Sequence, residues 1–420
     1  MSKFSKLEEK MMPLVMKIAN NRELSAIRDA MYVLMPFLIV GSFFLLFSAF
    51  PVPGYSEFMT STFGDGWALY LTKITDATFG MMALIIVVTT SYFYSQSLGV
   101  KTLGAPITAL MFFFIVTPFV DGSLPLEWLG TKGMFLGMLI ALSITRLFVF
   151  LFNKNLFPNM PDSVPPGVMA SFQSVVPVII IASLAMLINI LMLVTPFGSL
   201  HELIYTILAT PLLMVGNSLP GIVISELLSE FLWLFGVHGN NVVASVMQPI
   251  LLQLSAENLA MVQQGLEPLN IINQQFKDTY LLIGGSGSTL PLLVVILMTC
   301  KSKHLRMIAA MAIIPGIFNI NEPVIFGLPI VLNPILAIPF MIVPAIFAIF
   351  SYGAMSIGLV GITNGLVIPW TTPVFISGLL VSGPSGAVLQ LVLFILGMAI
   401  YYPFVRIIDR QLISKEKSKS

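Results

Sequence analysis

Apolar residues fall along this chain in long runs separated by short polar stretches, and those runs set the first expectation. An α-helix rises about 1.5 Å per residue, so crossing a hydrocarbon layer of about 30 Å takes roughly 20 mainly apolar residues. Runs of this kind occupy residues 30–50, 79–93, 105–120, 134–152, 176–194 and 222–237. Shorter ones occupy 289–300, 305–317, 336–350 and 388–402. The pattern predicts an all-α polytopic membrane protein with about ten transmembrane helices. Residues 201–215 read as an amphipathic helix suited to the membrane surface.

The two halves differ in texture. Up to Val194 the runs are mostly long and evenly apolar. From Val215 onward they are interrupted by Gly, Pro and Asn at 236–241, 284–288, 319–329 and 363–373. Irregular backbone at membrane depth is tolerated only where protein or a watery cavity satisfies its polar groups. In transporters such broken helices build the substrate site. The predicted organisation is an N-terminal segment 1–28, a transmembrane half 29–195, an amphipathic connector 196–220, a second transmembrane half 221–405 and a tail 406–420.

Charge orients these pieces. Lys3, Lys6, Lys10, Lys17, Arg22 and Arg28 precede the first run, and Arg406, Arg410, Lys415, Lys417 and Lys419 follow the last. Because Lys and Arg accumulate in cytoplasmic loops, both termini are expected in the cytoplasm of a multi-pass protein of the bacterial plasma membrane. The linkers near Lys101 and 146–154 fit the inside, and 51–66 and 121–128, without Lys or Arg, fit the outside. Lys301, Lys303 and Arg306 suggest a further inside loop. The crossings of the second half then close only if some segments enter and leave on one side.

Composition sharpens the class. Hydrophobic residues make up 57% and charged ones only 9%, whereas soluble domains carry about 25% charged residues. A soluble protein of this length has no place to hide so much apolar side chain. A net charge of +1 provides no basic field for nucleic acid. One cysteine, Cys300, and three scattered histidines provide neither an internal disulfide nor a clustered metal site, so no metal or cofactor is expected. The polar N-terminus lacks the features of a signal peptide, so the first run is expected to stay as a span.

Candidate chemistry concentrates in three polar islands. The first, 319–329, contains Asn319, Asn321, Glu322 and Pro323. A carboxyl within a spanning region costs about 2.5–3.5 kcal/mol and is functional by default. Pro323 disfavours helical backbone at Glu322, which places that carboxylate at a bend. A carboxylate with two amides can bond several hydroxyls at once, as a sugar requires. The other reading is a glutamate bonded to neighbouring backbone. The second island joins Trp233, His238, Asn240 and Asn241. Glu226, Glu230 and Trp233 are spaced by four and three, on one helical face. Trp233 offers a stacking plate and an N–H. For Glu226 and Glu230, a structural polar seam and a binding role stay equally open. The third island, 363–373, carries Trp370, either a second plate or an interfacial anchor. Residues 284–289 are rich in Gly but lack the Gly-Lys-Ser/Thr ending of a phosphate loop. A flexible turn or close helix packing is expected there.

Several stretches resemble a known family. Asn-Arg-Glu-Leu-Ser-Ala-Ile-Arg-Asp at 21–29 and Met-Pro-Phe-Leu-Ile-Val-Gly-Ser-Phe at 35–43 are similar to the start of membrane (IIC) components of the lactose/cellobiose/diacetylchitobiose family of the bacterial phosphotransferase system. Val237-His238-Gly239, 283–287, 318–327 and Pro-Trp-Thr-Thr-Pro at 369–373 match as well, in order, from about residue 5 to 410. The resemblance implies a homodimer with ten spanning helices and two re-entrant hairpins. It implies that the first half makes the dimer contact and the second holds the sugar. It further implies a permease that binds a β-linked disaccharide such as diacetylchitobiose or cellobiose, moves it by alternating access and presents a hydroxyl for phosphorylation. His238 and Glu322 would meet that hydroxyl as the catalytic pair, and Trp233 and Trp370 would frame the sugar rings. Glu230, Asn240, Asn241, Asn319 and Asn321 are the further candidate sugar contacts. Phosphocysteine on a separate cytoplasmic EIIB, itself served by EIIA, would be the donor; neither His238 nor Glu322 would carry the phosphoryl group.

Two other mechanisms compete on the residues alone. An ion-coupled secondary sugar transporter would use Glu322 as its proton-coupling carboxylate. A membrane enzyme acting on lipid-linked sugars would need a metal-binding acidic pair, and none stands out. The nucleotide-binding motif of a primary pump is absent.

Overall fold

The computed structural model describes residues 12–13, 16–48, 54–119, 122–154, 156, 164–328, 330 and 334–417. Among them the regular elements are helices, with no strand. Lys3, Lys6, Lys10, Phe50, Val120, Pro329 and Lys419, named above, lie outside the described residues. The chain divides into two compact units: Asn20–Leu213, and Met214–Ser420 with the described part of Met1–Ala19.

In the unit Asn20–Leu213 the main helices are α1 (Arg22–Ser48), α2 (Trp67–Thr78), α3 (Met82–Ser97), α4 (Gly104–Val116), α5 (Met134–Phe152) and α6 (Val175–Leu193). Helix α1 begins two turns before its apolar run because the Asn21 side chain caps it, accepting from Leu24 N at 2.8 Å. Its buried face (Ala26, Ala30, Met31, Leu34, Leu38) is apolar, and so is its exposed face (Tyr32, Val33, Phe37, Val40, Phe43). A helix apolar all round suits lipid on its outer side. Helices α3 and α5 are joined by the hydroxyls of Ser91 and Thr145, 2.5 Å apart, the kind of polar link that ties helices in lipid.

The predicted surface segment 201–215 is anchored at its start. His201 is buried, with Nε2 2.9 Å from Thr117 Oγ1 and its ring 4.9 Å from that of Trp128. Its ring packs against those of Phe113 and Trp128, so this end of the segment is held by the protein.

In the second unit the main helices are α7 (Leu219–Trp233), α8 (Gly239–Gln263), α9 (Leu290–Thr299), α10 (Lys303–Ile317), α11 (Glu322–Gly327), α12 (Pro334–Ser356) and α13 (Ile376–Lys417). Helix α8 has no counterpart among the predicted spans. Asn240, Asn241, Gln248, Gln253 and Asn258 interrupt any apolar run, yet Gln248, Gln253 and Asn258 are buried and the helix runs 25 residues. Its polar groups face protein, so hydropathy missed it. Helix α13 is 42 residues long, with Gly383 at φ 68 breaking it just before the predicted run 388–402.

Among the described residues each of the ten apolar runs lies mainly on a helix. Six helices among the described residues are long and apolar enough to cross a membrane, and eight if each of two bent pairs counts as one span. One such pair, Gln274–Ser288 with Leu290–Thr299, bends by 55° at the Gly-rich stretch 284–288. The remaining runs form shorter helices: α4 has 13 residues and α10 has 15.

Candidate functional site

The Gly-rich stretch after residue 283 organises the second unit. Gly284, Gly285, Gly287 and Ser288 all have positive φ, so the chain turns sharply where one helix stops and α9 starts. Each neighbouring element reaches in and binds this turn. Helix α7 supplies Glu230, whose Oε1 accepts from Gly287 N at 2.9 Å. Helix α8 supplies Asn240, whose Nδ2 donates to Ser286 Oγ at 2.7 Å. Helix α13 supplies Tyr401, whose hydroxyl donates to Gly287 O at 2.6 Å. The segment leading into α11 supplies two asparagines: Asn319 Oδ1 accepts from Gly284 N at 2.8 Å, and Asn321 Nδ2 donates to Ser286 O at 2.6 Å.

The turn has no room for ordinary side chains. A Cβ on Gly287 would enter the ring of Phe340, and one on Gly285 would meet the Asn321 amide 2.6 Å away. Of the two structures expected here, close packing is found, and the stretch is pinned from four sides rather than flexible.

Asn319 also ties in the third island. It has a left-handed backbone (φ 62), and its Nδ2 donates to Trp370 O at 2.7 Å and Thr372 O at 3.3 Å. One amide thus bridges the Gly-rich turn and the stretch holding Trp370. Asn319 and Asn321 spend these polar atoms on the protein's own backbone.

The bend predicted for the first island lies at Asn319–Asn321, and Glu322 is the first residue of α11, followed by Pro323 in the position where a missing N–H costs nothing. The Glu322 side chain is exposed and reachable. Phe326, on the same helix, lies 6.4 Å from Trp233, and Trp233 lies 4.3 Å from His238. This chain of rings sets α11 beside the second island. Trp233 is buried, and one face of its ring meets His238, whereas Trp370 is half-exposed. His238 caps α8: its Nδ1 accepts from Asn241 N at 3.3 Å, which leaves the ring proton, where present, on Nε2.

Helix α7 carries a stripe that sequence spacing only half revealed. Glu226, Ser229, Glu230 and Trp233 recur at steps of three, one and three, on one face, and all are buried. Lys277 Nζ, also buried, lies 2.8 Å from Glu226 Oε1. Along this face Glu226 Oε2, Ser229 Oγ, Glu230 Oε2 and Trp233 Nε1 have no hydrogen-bond partner among the described residues. Asn240 Oδ1, the whole Gln275 amide and Thr279 Oγ1 share that condition. An unpaired buried polar group costs about 1–3 kcal/mol. So many on adjoining elements mark a place for water or for a hydroxyl-rich ligand. Lys277, Gln275 and Thr279 escaped sequence reading because their segment is neither an apolar run nor a motif; two glutamines beside a lysine and an aspartate in a membrane protein were the available signal. Ser229 lies inside the apolar run 222–237, where a lone serine gives no signal. No group of three His, Cys, Asp or Glu side chains placed to hold a metal occurs among the described residues.

A helical membrane protein whose broken helices converge on a buried polar stripe is a carrier for a polar solute. The chain matches the family described as Phosphotransferase system, EIIC over residues 28–344, and it belongs to that family. It is 40% identical to the lichenan permease IIC component of Bacillus subtilis (strain 168), over 98% of this chain and 94% of that protein. It is 40% identical to the PTS system cellobiose-specific EIIC component of Geobacillus stearothermophilus, over 98% of this chain and 95% of that protein. Its fold is similar to the crystal structure of the transporter ChbC, the IIC component from the N,N'-diacetylchitobiose-specific phosphotransferase system, with TM-score 0.95 and 42% identity over 98% of this chain and 99% of that one. The protein is thus a multi-pass sugar permease component of a phosphotransferase system, working with A and B components.

Proposed function

We propose that this permease carries a β-linked disaccharide of the cellobiose or diacetylchitobiose kind and presents one hydroxyl to the phosphorylated B component. The observation that carries the reading is the stripe of unpaired buried polar atoms on Glu226, Ser229, Glu230 and Trp233, beside His238 and α11. Ring hydroxyls, which both donate and accept, satisfy such a mixed set. The names of the relatives supply the linkage and size of the sugar.

In this reading Glu230 and Asn240 bond hydroxyls through their free oxygens, with Asn241 close by. Asn319 and Asn321 hold the frame and shape the site's wall. Trp233 and Trp370 border the rings. The hydroxyl oxygen attacks the phosphorus of the B component's phosphocysteine; the O–P bond forms, the S–P bond breaks, and the thiolate leaves. Glu322 orients the hydroxyl and takes its proton. His238 bonds the same hydroxyl and steadies the developing phosphoryl charge. The second unit carries the sugar between the two faces by alternating access. The protein works as a homodimer through its first unit, with both termini in the cytoplasm of the bacterial plasma membrane.

Uptake of labelled disaccharides into vesicles, with and without phosphorylated B component, tests this. Sugar phosphate accumulates only with that partner, and the best competitor names the substrate. Uptake that an uncoupler collapses and that proceeds without the partner would instead establish ion coupling.

A further inference from the structure

A glutamine side chain offers two acceptor lone pairs and two N–H donors, and in Gln390 all four are used. This residue is buried on α13. Its Oε1 accepts from Phe375 N at 2.8 Å and from Gly378 N at 2.9 Å. Its Nε2 donates to Thr279 O at 2.8 Å and to Ser377 Oγ at 2.9 Å. Phe375 precedes the first residue of α13 and Gly378 is the third, so the oxygen takes N–H groups that the first turn of a helix leaves without partners. A serine or aspartate at the helix start normally does this; phenylalanine has no side-chain acceptor. Residues 378 and 390 would stand about 18 Å apart on a straight helix, so the bond exists only because α13 folds back at Gly383. Thr279 O lies in the last turn of the helical stretch 274–281, where carbonyls in turn lack partners. One amide therefore caps the start of one helix and the end of another.

Those two helix ends adjoin the sugar site. Lys277, on the stretch 274–281, pairs with Glu226 of the polar stripe. Trp370 lies on the stretch that leads to Phe375. Asn319 ties the same two regions at another point, through Gly284 N on one side and the Trp370 and Thr372 carbonyls on the other. A single tie leaves a segment free to pivot, whereas two ties several residues apart fix its orientation. Phe375 shows that the second tie is firm. Its φ of 73 is left-handed, a strained conformation for a residue with a Cβ that persists only where the surroundings over-determine it. Gln390 holds its N–H, and Phe394, one turn further along α13, meets its ring edge-on with centroids 6.2 Å apart.

We propose that Gln390 is a positioning residue for the sugar: with Asn319 it clamps the stretch bearing Trp370 against the segment of Lys277 and Thr279, and so sets where the Trp370 ring meets the disaccharide. The inference rests on the function proposed above and adds to it a residue that acts through another. Trp370 is half-exposed, so its place depends on the backbone that carries it more than on packing around the ring.

The test is a double-mutant cycle on sugar binding. Labelled cellobiose and labelled diacetylchitobiose are titrated in detergent against the parent, Gln390→Met, Trp370→Ala and the double variant. Gln390→Met keeps the length of the side chain and removes its hydrogen bonds, so it melts below the parent. Gln390→Glu keeps an acceptor for Phe375 and Gly378 but loses the donor to Thr279; it runs through the same cycle should the first variant fail to fold. Each single variant is expected to raise the Kd about tenfold, and the double variant no further than the more affected single one, because both remove the same contact. In sugar phosphorylation by the phosphorylated B component, the Gln390 variant should raise the KM for sugar by more than it lowers kcat. A general loosening of the fold would lower the melting temperature yet leave the two substitutions independent. Fold-changes that multiply in the double variant, a parental Kd in either single variant, or a loss confined to kcat overturns the clamp and leaves the carrier reading standing. A parent chain that binds neither disaccharide overturns both.

Discussion

Glu230 and Gly287, fifty-seven positions apart, are joined by a 2.9 Å hydrogen bond from the Gly287 amide to one carboxylate oxygen. The carbonyl of the same glycine receives the Tyr401 hydroxyl at 2.6 Å. Both faces of one residue are thus held, and through Ser286 the hold extends to Asn240 and Asn321. The geometry of the site depends on this turn, whose own Ser286 and Ser288 hydroxyls are engaged with Asn240 and with Leu281 O.

A methyl group at Gly287 is therefore expected to do more than strain the backbone. Gly287→Ala adds a left-handed alanine, about 1–3 kcal/mol, and drives its Cβ into Phe340. Gly198, at φ +68 with open space around it, is the matching control for strain alone. Thermal melting in detergent should fall further for Gly287→Ala than for Gly198→Ala, and sugar affinity should fall only for the former. Equal effects on both would mean that the close approach of Phe340 does not matter.

The Lys277–Glu226 pair is buried at both ends, 2.8 Å apart. Lys277→Met leaves a lone carboxylate, which costs about 3–5 kcal/mol. Adding Glu226→Gln removes the charge that Lys277 had balanced. The double variant should therefore melt above the Lys277→Met single variant. Additive losses in the double-mutant cycle would show that the two side chains do not act as a pair.

Glu322 is exposed at the start of a helix whose buried residues are Val324 and Ile325. Glu322→Gln should fold and melt like the parent. Loss of a general base lowers the rate by about 100- to 10,000-fold, so phosphorylation by the B component should drop on that scale while the sugar stays bound. A Gln variant that transports and phosphorylates at the parental rate removes Glu322 from the mechanism.

Much was legible in the sequence because lipid leaves few choices. Runs such as 134–152 and 176–194 are helices to within a residue or two of their predicted bounds, since apolar side chains with satisfied backbone admit little else in a bilayer. The breaks at 236–238, 284–288 and 319–321, inside the interrupted stretches 236–241, 284–288 and 319–329, were legible for the converse reason. Glycine and asparagine at left-handed positions, and proline in a first turn, leave a mark in the sequence itself.

What escaped was whatever depends on a distant partner. Helix α8 is too polar to be read as buried until the protein that pairs its amides is seen; Asn258 donates to Thr363 O, 105 positions away. Glu226 and Glu230, equivalent by spacing, part company only when Lys277 reaches one and Gly287 the other. The sequence by itself determined an all-helical membrane carrier with a broken second half, because periodicity, hydropathy and backbone preference act over a few residues. Only the tertiary structure decided that the breaks share one pinned turn and that Asn319 and Asn321 hold backbone. Those outcomes rest on hydrogen bonds between residues far apart in the chain, whose pairing no local pattern encodes.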